Sequence, residues 1–415
     1  MKKNTARVSL IKRLWLVLAV LGPGLITASA DNDAPGIATY SMAGSRYGYN
    51  FLWLLVVVTF GEVFIQEMAA RLGAVTGKGT ADLIREKFGV KITLIAMICL
   101  LVANLGTTIA EFAGIAAGAE LLGISRYIVV PVAAVIIGLL VMGGSYKSVE
   151  KLLLILCLSA IAYVISAFIL KPDWGDVLRS AVTPQFLFEP EYIIAVLATI
   201  GTTITPWGIF YMQASVVDKG VDEQDYGLTK ADVVFGAIWG NIISAFIIIC
   251  TGATLFLHGI HVEKAEQAAL ALVPLAGNWA KLLFASGLVG ASILAAMVLP
   301  LSTVYAITEA FGWERGLDQK RQDAPIFYGI YVAVIALSSL FVLIPGLPLF
   351  KIMLLSQSMN AILLPVLLVL VLILANDREI MGKWKNKRYQ NIFSIVLTAM
   401  IMSITIALFV LQFKK

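Results

Sequence analysis

The stretch Ala30-Asp31-Asn32-Asp33-Ala34-Pro35-Gly36 decides how this chain is read. It lies between an apolar run from Leu14 to Ile26 and a shorter run that starts at Ile37 and reaches a turn at Tyr47-Gly48. Two carboxylates, an amide, a proline and a glycine thus fall in the middle of one membrane-length segment. Proline removes a backbone donor and opposes the preceding turn. An unsatisfied backbone group or a carboxylate in hydrocarbon costs on the order of several kcal/mol unless it faces protein or water. The stretch therefore predicts an unwound segment facing a buried cavity, a cation site with Asp33 as its principal charged ligand. The plainer alternative is a proline-kinked helix with its acids at a wet interface.

Working outward, composition sets the class. Of the residues, 60% are hydrophobic and 14% charged, and mean hydropathy is +0.90, which excludes a soluble domain. Apolar stretches of about 20 residues recur along the chain, as membrane-spanning helices require. The net charge of +5 comes largely from loop lysines and arginines, so it reports topology and implies no nucleic-acid partner. Cys99, Cys157 and Cys250 sit in apolar spans at unrelated spacings and form neither a disulfide framework nor a metal cluster. Basic residues from Lys2 to Arg13 precede the first apolar run without a cleavage site before a soluble domain, the pattern of a retained first span.

The expected fold is an all-α polytopic membrane protein, a single transmembrane domain. Eleven spans are predicted, at about 14–46 (broken), 50–73, 92–121, 126–144, 150–170, 191–217 (broken), 231–257, 279–311, 326–344, 349–375 and 391–412. Loops after even-numbered spans hold most of the basic residues: Arg71, Lys78, Arg85, Lys87 and Lys91; Lys147 and Lys151; Lys219 and Lys230; Arg315, Lys320 and Arg321; and five between Arg378 and Arg388. The other side holds only Arg46, Arg126, Lys171, Arg179, Lys264 and Lys351. The asymmetry predicts a cytoplasmic N-terminus in the plasma membrane and, with an odd span number, an external C-terminus.

The sixth span repeats the anomaly of the first. Gly201-Thr202-Thr203-Ile204-Thr205-Pro206-Trp207-Gly208 separates Ile194–Ile200 from Ile209–Val217. The two breaks are five spans apart, and an odd offset turns the second copy upside down. Paired Gly/Pro interruptions in two halves are the signature of an inverted-repeat transporter with its site at the midplane. The repeats run about 14–170 and 191–375, with an extra helix at about 391–412.

Several local patterns resemble one known family, the Nramp divalent-metal transporters. Leu21-Gly22-Pro23-Gly24, Asp33-Ala34-Pro35-Gly36 and Ala43-Gly44-Ser45-Arg46-Tyr47-Gly48-Tyr49 are similar to the family's first span, and Ala70–Lys78 to its turn after span two. Glu111, the Gly143–Leu153 stretch, Leu355-Ser356-Gln357 and Pro365 extend the similarity over nearly the whole chain. The resemblance implies the LeuT-like fold: two inverted five-helix repeats, broken helices one and six, and alternating access.

Departures from the family's pattern refine the expectation. Its first-span motif, Asp-Pro-Gly-Asn, has Asp33 at the Asp position but Gly36 at the Asn position. Its sixth-span motif, Met-Pro-His, has Thr205 and Trp207 at the Met and His positions, and the Asp of its third span is Thr108, with Glu111 kept. These departures resemble the divergent clade of Nramp-related magnesium transporters. A thioether favours softer ions over Mg²⁺ and Ca²⁺, and its loss lowers that discrimination. Magnesium takes about six oxygens near 2.1 Å and sheds water reluctantly. A smaller glycine and threonine leave room for a partly hydrated ion.

The candidate ligand set is Asp33, the carbonyls around Ala34 and Thr202, the Thr205 hydroxyl, Gln357 as a supporting amide, and the Gly36 position. Cavity-lining candidates are Asp31, Glu62, Gln66, Trp207, Thr108 and Glu111. Glu62 and Gln66 share one helix face, whereas Glu67 is expected to pair with Arg71 four residues on. Trp207 and Thr108 cannot change protonation, so the usual proton path loses two stations. The expected function is uncoupled Mg²⁺ uptake, also of Mn²⁺, driven by gradient and potential, the latter worth about 4–5 kcal/mol per divalent ion at 100 mV. No cofactor is expected; the partners are the transported ion and the lipid bilayer.

The rivals are a proton-coupled Mn²⁺/Fe²⁺ carrier, a Na⁺-coupled amino-acid symporter, a channel, and an intramembrane enzyme using Asp31/Asp33 or Asp33/Glu111. An aspartyl dyad must oppose its carboxylates across a substrate, which one short stretch does not do. His258 and His261 have no third ligand nearby and read as interfacial. Gly143-Gly144-Ser145 lacks the glycine-to-lysine spacing of a phosphate loop.

Overall fold

The computed structural model describes residues 32–143, 160–223, 226–314, 316 and 321–413. Asp31, the first half of the first predicted span, the stretch from Gly144 through the start of the fifth span, and Lys414-Lys415 lie outside those residues.

The described chain is almost entirely helical. Its principal helices are α1 (Ala34–Tyr47), α2 (Leu52–Thr76), α3 (Thr80–Leu121), α4 (Arg126–Met142), α5 (Ile161–Leu170), α6 (Pro190–Thr203), α7 (Pro206–Asp218), α8 (Tyr226–Thr254), α9 (Ala280–Phe311), α10 (Pro325–Val342), α11 (Leu349–Asn376) and α12 (Arg388–Phe413). Eight helical stretches among the described residues are long and apolar enough to cross a membrane; α4 and α5 are shorter apolar helices. Ala34–Thr76 counts as one such stretch although it contains the end of the first predicted span and all of the second.

Local chemistry sets the helix ends. Asp33 caps α1 and a proline lies in its first turn, while α2 stops at Gly77 in the left-handed region, with the Gly77 N–H on the Gly73 carbonyl at 2.8 Å. Gly89, at φ 75° and ψ 176°, breaks α3 into a short first piece and a long second one. That break is why the sequence pattern of the third span begins only after it.

The long part of α3 runs through the centre, packed against α9 and α11; α11 also covers α6, and α8 covers α1 and α2. Buried side chains on these faces form one continuous apolar core. The ends of α2, α7, α9 and α11 meet on one face of the bundle. There the Gln213 amide donates to the Lys78 carbonyl at 2.7 Å, Arg85 to the Ala310 carbonyl at 2.9 Å, and Lys87 meets Asp377 at 2.5 Å. These are loops that the charge pattern assigned to a common side.

Candidate metal site

The candidate residues lie at two places, the start of α1 and the break between α6 and α7. At the first, Asp33 is extended (φ −69°, ψ 179°), and its Oδ1 accepts the Gly36 N–H at 2.7 Å. At the second, α6 ends at Thr203, Ile204 and Thr205 are non-helical, and α7 begins at Pro206. Thr205 Oγ1 accepts the Gly208 N–H at 3.2 Å. Two turns beyond Asp33, α1 reaches the end of α6 through Tyr40, whose hydroxyl is 2.9 Å from the Thr203 hydroxyl.

Helix polarity decides where a cation can sit. Both α1 and α7 present N-termini, the positive ends of their dipoles, whereas α6 presents a C-terminus with unpaired carbonyls. Pro206 has no N–H, so the Thr202 carbonyl, four residues earlier, has no helical partner there. The Thr202 hydroxyl is buried and also without a hydrogen bond among the described residues. Asp33 and the end of α6 are therefore the electronegative groups at these two places.

Glu111 stands beside Asp33. Its carboxyl neighbours Asp33, the Ala34 N–H and Ser292. It is fully buried, and among the described residues neither oxygen closes a well-formed hydrogen bond. The approach depends on Gly114, one turn along α3, where a Cβ would run into Ala34 and Ser292. Two adjacent buried carboxyl groups with unused lone pairs form an arrangement that positive charge completes.

The remaining expected residues separate into groups. Ala34 is the first residue of α1, so its N–H is the unpaired group and its carbonyl enters the helix ladder. Gly36 acts on Asp33 through its N–H. Gln357 is fully buried, and the α11 backbone at Gln357 meets α6 at Gly201, where any Cβ would overlap the Gln357 carbonyl. The Gln357 amide oxygen accepts from Asn360 at 2.9 Å, and Asn360 donates also to Thr107 at 3.0 Å. Thr108 turns its hydroxyl onto the Asn104 carbonyl of its own helix, at 2.7 Å. Trp207 is fully buried, with its carbonyl held by Ser302 at 3.0 Å.

Glu62 and Gln66 bond to each other at 2.7 Å, and Asn241 of α8 donates to Glu62 at 2.5 Å. Glu67 pairs with Arg71 at 3.4 Å, as its spacing predicted, and also accepts from Tyr226 and Gln390. Among the described residues, no three of His, Cys, Asp and Glu gather into a metal cluster. The sequence pattern passed over Gly114, Asn241, Ser244 and Ser292. Only Gly114, three residues after Glu111, carried a signal in its spacing.

A buried polar break between half-helices, inside a bundle of membrane-length helices, defines a polytopic membrane protein of the LeuT-like fold. The chain belongs to the Nramp family: the family described as natural resistance-associated macrophage protein-like matches residues 24–411. It is 27% identical to the divalent metal cation transporter MntH of Klebsiella pneumoniae over 396 residues, covering 93% of this chain and 92% of that protein. It is 25% identical to the protein of the same name from Clostridium acetobutylicum over 427 residues, covering 98% and 94%. Among solved structures, the Eremococcus coleocola manganese transporter matches with a TM-score of 0.73 at 21% identity, covering 96% of this chain and 87% of that one. A nucleobase-cation-symport-1 family transporter in a closed conformation matches at 0.53 and 13%, covering 86% of this chain and 77% of that one.

Proposed function

We propose that this protein carries divalent metal ions into the cell across the plasma membrane, Mg²⁺ with Mn²⁺, by alternating access and without a coupled proton. The observation that carries the proposal is the buried Asp33 at the start of α1, together with the break between α6 and α7 at Thr202–Thr205, which offers oxygen donors only. Asp33 supplies charge, the Thr202 carbonyl and Thr205 hydroxyl supply neutral oxygens, and Gln357 supports from α11. Magnesium retains part of its water and needs oxygen donors with space between them. Thr205 where the family carries a thioether supports the reading as a Nramp-related magnesium transporter over a carrier selective for softer ions. The relatives' names support the coarser assignment to divalent metals.

Absence of coupling follows from Thr108 and Trp207, which cannot titrate, at two positions of the family's proton path. The membrane potential then favours inward movement by about 4–5 kcal/mol per divalent ion at 100 mV. A cytoplasmic N-terminus follows from the basic loops. The two inverted repeats occupy about 14–170 and 191–375, with α12 outside both. The second reading is a proton-coupled Mn²⁺/Fe²⁺ carrier. It is favoured by Glu111, a buried titratable group beside Asp33 with both oxygens unbonded among the described residues.

The test is flux of Mg²⁺, Mn²⁺ and Ca²⁺ into proteoliposomes containing a pH-sensitive dye, for wild type and Asp33→Ala. Saturable Mg²⁺ and Mn²⁺ flux, a silent dye and loss of flux in the variant are expected. Metal-driven acidification of the lumen supports the second reading. Flux that survives Asp33→Ala removes Asp33 from the site.

A further inference from the structure

The residue before the charged ligand is held as firmly as the ligand itself. Asn32 is buried, and its amide makes two contacts with one turn of α8. Its Nδ2 donates to the Gly240 carbonyl at 3.1 Å, and its Oδ1 accepts from the Ser244 hydroxyl at 3.1 Å. One carboxamide reads a carbonyl and a hydroxyl at once, which neither an aspartate nor an aliphatic residue can do. Ser244 also reaches the Gly240 carbonyl, at 3.2 Å, so the three groups form a closed set.

The contact continues on both sides. Beyond it, α1 lies directly on α8 at Gly44, where a Cβ would run into Thr251 and the Ile248 carbonyl. Within the same turn of α8, Asn241 holds Glu62 of α2 at 2.5 Å. The non-helical segment at residues 32 and 33 is therefore fixed twice, by Asn32 onto α8 and by the Asp33 carboxylate onto the first turn of α1.

We infer that Asn32 and Ser244 are positioning residues for the metal, forming a clamp that fixes the Asp33 carboxylate for the ion and makes α8 carry the ligand through the transport cycle. The inference rests on the metal site proposed above. Neither residue touches the ion. They act by removing conformational freedom from a segment that would otherwise have to be ordered at each binding event. Loss of the clamp should raise KM and leave the maximal rate largely intact, because a saturating ion can order the segment itself.

The experiment measures Mn²⁺ uptake by the full-length protein in liposomes for Asn32→Ala, Ser244→Ala, Ser244→Thr and the double alanine variant, with Asp33→Ala alongside. Asn32→Ala should raise KM about five- to tenfold and Ser244→Ala about two- to fivefold, with Vmax within about twofold of wild type. Ser244→Thr keeps the hydroxyl and should restore the wild-type KM. The double variant should be no worse than Asn32→Ala, since both changes break the same clamp. Wild-type KM in Asn32→Ala, or fully additive losses in the double variant, overturns the inference. If Asn32→Ala does not fold, Ser244→Ala against Ser244→Thr decides it, and equal KM values in those two overturn it. Flux abolished by Asp33→Ala with unchanged KM in the clamp variants defeats the clamp alone. Flux that survives Asp33→Ala defeats the site beneath it.

Discussion

Asp33 and Thr205 occupy equivalent places at the starts of two helices, α1 and α7. Each is an extended residue whose side-chain oxygen accepts the N–H of the glycine three residues on, Gly36 at 2.7 Å and Gly208 at 3.2 Å. Capping and metal binding thus draw on the same two oxygens, and substitutions that preserve one role while removing the other separate them. Asp33→Asn keeps an acceptor for Gly36 and removes the charge. Its stability should stay within about 0.5 kcal/mol of wild type, since Asn and Asp cap about equally well. Its Mn²⁺ uptake at subsaturating concentration should fall at least ~10-fold, the equivalent of about 1.4 kcal/mol of lost attraction. Thermal unfolding and liposome flux on the same preparation check both halves.

Thr205→Met does the reverse. It restores a thioether at the second break and removes the cap from α7. Stability should fall by about 0.5–2 kcal/mol, the usual cost of a lost N-cap. In competition assays Cd²⁺ and Mn²⁺ should gain on Mg²⁺, because sulfur favours the softer ions. An unchanged order of competition would show that position 205 does not contact the ion.

Glu111→Gln keeps the shape of the group beside Asp33 and removes its ability to exchange a proton. For an uncoupled carrier, flux should persist with KM raised about two- to fivefold, the loss of one buried polar interaction. The internal pH dye should be silent in wild type and variant alike. A dye response in wild type that vanishes in Glu111→Gln would assign Glu111 to a proton route.

The close approach of α6 and α11 at Gly201 predicts a steric cost. Gly201→Ala places a methyl group into the Gln357 carbonyl and should destabilise the protein by about 1–3 kcal/mol. Gly106 on α3 is the control, because its Cβ position is open and helical alanine is favoured over glycine by about 0.5–1 kcal/mol. Thermal shifts of opposite sign in the two variants are expected.

On the face where the loops meet, the Lys87 ammonium holds the Asp377 carboxyl below the usual carboxylate range, and Asp377 holds Lys87 above its ordinary value. A depressed carboxyl contributes its stability in full above its unfolded value and loses it as pH falls through the folded one. The difference in Tm between wild type and Lys87→Ala should therefore be constant from about pH 5 to 8 and shrink below about pH 4. A difference that already fades near neutral pH would mean that the pair is not the source.

The sequence by itself determined the membrane class, the break between α6 and α7 and the helix start at Asp33, because a proline and a carboxylate inside an apolar run have few tolerated arrangements. It also determined the pairing of Glu67 with Arg71, since residues four apart on a helix are neighbours whatever the rest of the chain does. Only the tertiary structure decided which group at each break faces inward. Ala34 offers an N–H and Thr202 a carbonyl, because the first begins a helix and the second ends one. Tertiary packing likewise brought Glu111 to Asp33 through Gly114, and Asn32 to Ser244 across 212 positions of chain. Periodicity records which face of a helix is buried. It carries no record of the partner that buries it, so contacts between distant helices exist only once the bundle has closed.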